Sequence, residues 1–140
     1  PPTATVQASA TYHDPCFLGR HNTVHDPPRD LLSSVPGLTA TEMPRCRQRG
    51  FCCGAGGARM WMEETVGKRI NHERIDEALT LDPDIVATAC PYCRVMLGDA
   101  IKDKQSAGTA RDNTVVIDVA EVLLRSVRGN APAVESTPND

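Results

Sequence analysis

The stretch Ile85-Val86-Ala87-Thr88-Ala89-Cys90-Pro91-Tyr92-Cys93 decides the fold. Its first five residues are almost wholly apolar, as a central parallel strand must be when helices cover both of its faces. Pro91 suits the first helical position, where its missing N–H has no intrahelical partner to lose and its φ is already helical. The chain therefore switches there from buried strand to helix, and Cys90 and Cys93 sit at the switch.

The same alternation recurs on either side. Residues 8–12 predict a first strand, which His13-Asp14-Pro15 breaks, so that Cys16 falls in the loop beyond its carboxyl end. A helical turn is expected over 17–22. His25-Asp26-Pro27-Pro28 then offers an aspartate cap and early prolines for a short helix ending near Val35-Pro36-Gly37. Residues 38–43 read as a second strand closed by Pro44. Arg59-Met60-Trp61-Met62-Glu63-Glu64 turns into helix, and 68–81 carries Ile70, Ile75, Ala78 and Leu79 as one apolar stripe. After Cys93 a helix runs to about Lys104 with Val95, Met96, Leu97, Ala100 and Ile101 at helical spacing. Val115-Val116-Ile117 forms a fourth strand, and 119–127 a last helix with Val122, Leu123 and Val127 on one face.

Strands alternating with helices imply an α/β fold, a parallel sheet of about four strands flanked by helices. Ligands of such sheets bind outside the carboxyl ends of the strands, and the metal site is expected there. Residues 1–7 read as a flexible lead-in, 8–128 as the folded domain, and the proline-rich polar 129–140 as a disordered tail. The start, Pro1-Pro2-Thr3, lacks a methionine and reads as a cut made inside something longer.

Composition narrows the function. In 140 residues, 40% are apolar and 24% charged, with a net charge of −3, which are the proportions of one globular domain. No basic stripe interleaved with aromatics appears, which argues against a nucleic-acid partner. No apolar run approaches a membrane span and no signal peptide is visible. The expected location is the cytoplasm, with any parent protein at the cytoplasmic face of a membrane. Six cysteines without a secretory signal favour metal binding or redox chemistry over structural bridges.

Five of those cysteines fall into three groups, Cys16, the vicinal pair Cys52-Cys53, and Cys90 with Cys93. Each group follows a predicted strand, so fold and cysteine spacing point to one edge of the sheet. Gly54, Gly56 and Gly57 bury almost nothing and free the backbone to wrap something compact. Thiolates are the usual ligands of iron–sulfur clusters and of structural zinc. Two adjacent cysteines fit a tetrahedral zinc awkwardly, and five ligands exceed its need, which favours iron. Zinc held by four of the five, in an assembly module, is the alternative.

The pattern Cys-x35-Cys-Cys-Gly-x35-Cys-x-x-Cys is similar to the cysteine-rich CCG domain, which occurs twice within one polypeptide of heterodisulfide reductase. The words Tyr12-His13-Asp14-Pro15-Cys16-Phe17-Leu18-Gly19-Arg20, Phe51-Cys52-Cys53-Gly54-Ala55-Gly56-Gly57 and Met60-Trp61-Met62-Glu63-Glu64 resemble the carboxyl-terminal CCG domain of bacterial membrane-bound iron–sulfur oxidoreductases. Those relatives are heterodisulfide reductase-like and are linked to electron-transfer flavoprotein with quinone as acceptor. The resemblance covers about residues 8 to 125.

It implies a non-cubane [4Fe-4S] cluster held by Cys16, Cys52, Cys53, Cys90 and Cys93. It also implies electron relay from a flavoprotein toward quinone, or, as in heterodisulfide reductase, cleavage of a disulfide at the cluster. Family members usually pair two such domains. A second CCG or ferredoxin-type domain upstream is therefore the expected partner, and the isolated domain is not expected to turn over alone.

Other residues carry two readings each. His13 either hydrogen-bonds a cluster sulfur or is a strand-end histidine satisfied by backbone. Cys46 reads as an incidental loop thiol. Met60, Trp61 and Met62 shield the centre or simply pack on the sheet. Arg45, Arg47, Arg49 and Arg59 neutralise an anionic centre, dock an acidic partner, or form a solvated basic loop.

Overall fold

The computed structural model describes residues 2–55 and 68–129. Gly56, Gly57, Arg59, Met60, Trp61, Met62 and the helix expected around them lie outside the described residues, as does most of the expected tail.

Four strands form one sheet: β1 (Ala8–His13), β2 (Leu38–Ala40), β3 (Ile85–Thr88) and β4 (Val115–Asp118). Their order is β2-β1-β3-β4 and every pairing is parallel. The chain steps outward from β1 to β2 and then crosses back to β3 on the other side of β1. The strand order thus reverses between β1 and β3, which is where a crevice opens at the carboxyl ends of such a sheet. Register aligns His13, Thr88 and Asp118 in one row along that edge. β2 is shorter than the expected 38–43, because Thr41 N–H makes the last bond to the sheet, at 2.9 Å on the Ala10 carbonyl.

Helices α1 (Asp26–Ser33) and α4 (Val119–Arg128) cover one face, and α2 (Ile70–Leu79) and α3 (Pro91–Ser106) the other. Strand alternation sends Ala10, Tyr12, Ile85 and Ala87 toward α1 and α4, where Leu32, Val35 and Val122 meet them. Val86 points the opposite way and packs with Ile75, Ala78, Met96, Leu97, Ala100 and Ile101. All four residues of β3 are buried, as its apolar run requires.

Three details differ from the sequence reading. The cap of α1 is His25, whose side chain makes no capping bond, while Asp26 is already the first helical residue. Val127 is 54% exposed, because Val119, Val122 and Ser126 form the inward row of α4. Val95 is 50% exposed, one position off the inward row of Cys93, Met96, Leu97, Ala100 and Ile101. The lead-in is tied to the domain: Ala4 N–H donates to the Ser126 carbonyl at 2.9 Å, and Val6 N–H to the Pro36 carbonyl at 2.8 Å.

Candidate metal centre

Three loops deliver the thiols to the carboxyl edge. After β1, Phe17–His21 wind into one wide helical turn, and Cys16 stands at its head. Asp14, buried just before, fastens this loop to its neighbours. It accepts two hydrogen bonds from the Arg29 guanidinium of α1, both 2.7 Å, and one from the Arg47 backbone N–H, also 2.7 Å. These bonds overcome burial, which acts to raise the Asp14 carboxyl, and hold it below the usual carboxylate range. Arg20 adds a bond to the Gly50 carbonyl at 3.0 Å, so the Cys16 loop lies against the segment leading into Cys52.

The vicinal pair is shaped by Gly54, whose φ is +91°. That turn aims its N–H at Cys52 Sγ, 3.2 Å away, and Cys53 takes a hydrogen bond from the Ala55 backbone. From the third loop, Cys90 forms the amino-terminal cap of α3 and Cys93 lies in its first turn, where the helix dipole favours negative charge.

The thiols of Cys16, Cys52, Cys53 and Cys93 follow one another closely enough that each acts on the ionisation of the next, Cys16 with Cys52, Cys52 with Cys53, and Cys53 with Cys93. Cys90 packs against the same core cluster that contains Cys53 and Cys93. All six cysteines are free thiols. Cys46 lies beside Glu42, and the groups acting on its thiol are Glu42, Arg29 and Asp14.

Crowding governs the chemistry. Burial, and then Cys52, pushes the Cys16 thiol up. The Cys52 thiol rises further, through its bond with Cys53 and then burial. Cys53 is lowered by Cys52 but raised more by Cys93 and burial together, and ends at about 12. Several buried thiols cannot ionise side by side unless a cation compensates them, and a metal centre does so outright.

The surroundings supply donors without acceptors. His13 is fully buried and its Nε2 has no partner, and the same holds for one terminal nitrogen of Arg74. A ring nitrogen of His13 and the sulfurs of Cys53 and Cys93 lie within 4.8 Å of one another. Buried polar groups are almost always paired, so an unpaired Nε2 on a His13 ring that approaches the Cys53 and Cys93 sulfurs fits an anionic, acceptor-rich group there. The residues present therefore fit an iron–sulfur centre.

Sequence reasoning missed the partners of His13. Neither of its two readings included Arg74, whose Nε donates to His13 Nδ1 at 2.8 Å. The available signal was two polar residues in α2, Asn71 and Arg74, at inward helical spacing with the apolar Ile75 and Ala78, and all four prove buried. Arg45 and Arg47, read as neutralising an anionic centre, docking an acidic partner or forming a solvated basic loop, pair with carboxylates of this chain. Arg45 pairs with Glu77 at 2.9 Å and stacks 3.9 Å over Phe51, and Arg47 pairs with Asp26. Cys16 faces a shallow open pocket with Arg20 and Gly50 on its walls.

A parallel α/β sheet whose switch-point crevice gathers thiols from three loops defines a cysteine-based metal-binding domain. The chain belongs to the CCG family of cysteine-rich domains, whose family model matches residues 10–98. It is similar to the probable iron–sulfur-binding oxidoreductase FadF of Bacillus subtilis, 47% identical over 91% of this chain and 18% of that protein. The EtfAB:quinone oxidoreductase of Syntrophomonas wolfei is 43% identical over 90% of this chain and 18% of its own length. One polypeptide of the dihydromethanophenazine:CoB–CoM heterodisulfide reductase of Methanosarcina acetivorans is 37% identical over 88% of this chain and 30% of its own length. The chain thus spans less than a third of each of these relatives.

Proposed function

We propose that this chain, over residues 8–128, is the iron–sulfur-binding, electron-transferring domain of an oxidoreductase. Cys16, Cys52, Cys53, Cys90 and Cys93 are its ligands, and a non-cubane [4Fe-4S] cluster is its centre. The observation that carries this reading is the convergence of thiols from three loops beside His13, whose buried ring approaches the Cys53 and Cys93 sulfurs with its Nε2 unpaired. When bound, such a cluster supplies one-electron transfer. The chain's own residues bring the ligands together, turn the Gly54 and Ala55 backbone toward sulfur, and bury Cys53 and Cys93 away from water. Burial and hydrogen bonds to sulfur are the protein's means of setting the potential.

An electron-transfer flavoprotein as donor and a quinone as final acceptor are supported by the name of the Syntrophomonas relative. The share of each relative left uncovered supports an upstream second CCG or ferredoxin-type domain in the same protein. Donor and acceptor of these kinds would meet at the cytoplasmic face of a membrane, where we place the parent protein. Among the described residues no helix is long and apolar enough to cross one.

Visible absorption and electron paramagnetic resonance of the anaerobically reconstituted chain test the reading. Broad charge-transfer absorption that bleaches on reduction is expected. A colourless, spectroscopically silent protein that holds zinc would replace the cluster with the structural module.

A further inference from the structure

We propose that Arg74 fixes His13 as the Nε2–H tautomer, so that His13 serves the centre as a hydrogen-bond donor to sulfur and not as a ligand. The proposal rests on the iron–sulfur reading for what the centre is, but its geometry belongs to the chain alone. Arg74 Nε lies 2.8 Å from His13 Nδ1, and both side chains are buried, Arg74 at 1% and His13 at 0% exposure. A guanidinium N–H can only donate, so Nδ1 must carry its lone pair. The single proton of a neutral imidazole then resides on Nε2. Imidazolium would set an N–H against the Arg74 N–H with no water between them.

The same bond decides against ligation. A metal on Nε2 needs a lone pair there, and with Nδ1 already accepting, the ring would have to lose its last proton. Imidazole ligands ordinarily donate their second N–H to an acceptor, whereas this one faces a donor. His13 is therefore built to give a proton to a hydrogen bond, although a ring nitrogen lies within 4.8 Å of the Cys53 and Cys93 sulfurs.

Arg74 is itself held on two further sides. Its Nη1 donates to the Arg45 carbonyl at 2.8 Å and pairs with Glu77, three residues on. Glu77 in turn accepts from the Arg45 backbone N–H at 3.0 Å and from Arg45 Nε at 2.9 Å. The guanidinium cannot swing away without breaking this set, and Arg74 is a positioning residue. Hydrogen bonds to sulfur favour the reduced, more negative state, so the N–H of His13 raises the potential of the centre.

Nitrogen-15 NMR of the chain, with His13 assigned by the loss of its signal in His13→Gln, reads the tautomer directly. A protonated Nε2 and an unprotonated Nδ1 are expected. The Nδ1–H form, imidazolium or a metal-bound Nε2 would overturn the proposal. Replacing both buried partners, Arg74→Met with Glu77→Leu, strands no buried charge, since Arg45, which also loses Glu77, is partly exposed and keeps Glu73 at 3.4 Å. Mixed tautomers are expected in that folded variant, and an unchanged Nε2–H signal would remove Arg74 from the account.

In reconstituted protein, His13→Leu should keep its iron and shift to lower potential, while His13→Gln, which retains an N–H, stays near wild type. Loss of iron from both folded variants would make His13 a ligand and refute us. Failure of the wild-type chain to take up iron would sink the cluster reading alone, and the tautomer measurement would then decide this one.

Discussion

Gly54→Ala and Gly98→Ala are the same chemical change, yet the structure assigns them opposite signs. Gly54 has φ +91°, and a Cβ there would lie 3.2 Å from Ile70 Cβ, a carbon fixed to the start of α2. Holding a non-glycine residue in such a region costs about 1–3 kcal/mol, before the tight contact is counted. Relaxing to negative φ instead would turn the N–H away from Cys52 Sγ, now 3.2 Å distant. We expect a loss of about 2 kcal/mol, which for a chain of this size lowers the melting temperature by roughly 8 °C. Gly98 lies within α3 with nothing inside 4 Å of its missing Cβ. Alanine there should add about 0.5–1 kcal/mol through backbone entropy. Guanidinium unfolding of the reduced, metal-free chain measures both, as shifts of midpoint at constant slope. Gly54→Ala within about 0.5 kcal/mol of wild type, or both variants shifting the same way, would refute the loop geometry on which the vicinal thiols depend.

Further outcomes follow from buried polar groups. Burial raises the Glu77 carboxyl, but the Arg45 hydrogen bond and the Arg74 charge outweigh it, so its folded pKa lies below the ordinary value. The stability it contributes is therefore present above the unfolded pKa of about 4.3 and lost as pH falls through the folded one. Wild type should destabilise more steeply than Glu77→Gln below that pH, and parallel acid titrations would contradict this. At neutral pH Glu77→Gln should cost about 3 kcal/mol, since it leaves Arg74 buried without its partner. Ser126 is fully buried and its Oγ donates to the Ala4 carbonyl at 2.6 Å. Ser126→Ala should cost about 1 kcal/mol and speed proteolysis within residues 2–7, and a cleavage pattern identical to wild type would show that this anchor holds nothing.

What could be read from residues alone was whatever is local or periodic. The run 85–89 announces a central strand because it is apolar on both faces, and Pro91 marks the helix that follows. Cys16, the vicinal pair and Cys90 come after strands, and parallel strands bring all such loops to one edge. The Arg74–His13 bond was not legible, because it joins residues 61 positions apart and gives no periodic signal. An apolar count of α2 also passes over Arg74, since a buried arginine looks like a surface one until its partners are known. Val127 fails for a related reason: apolar character alone cannot say which of two neighbouring rows of α4 faces the sheet, and Ser126 takes the inward place by bonding the lead-in.

The central claim is that five cysteines, and not Cys46, hold an iron–sulfur centre. Iron, sulfide and zinc content, measured on the chain made and reconstituted without oxygen beside its Cys53→Ser and Cys46→Ser variants, tests it most directly. About four irons and four sulfides per wild-type chain are expected, retained in Cys46→Ser and lost in Cys53→Ser. Stoichiometric zinc without iron, or equal loss of iron from both variants, would contradict it.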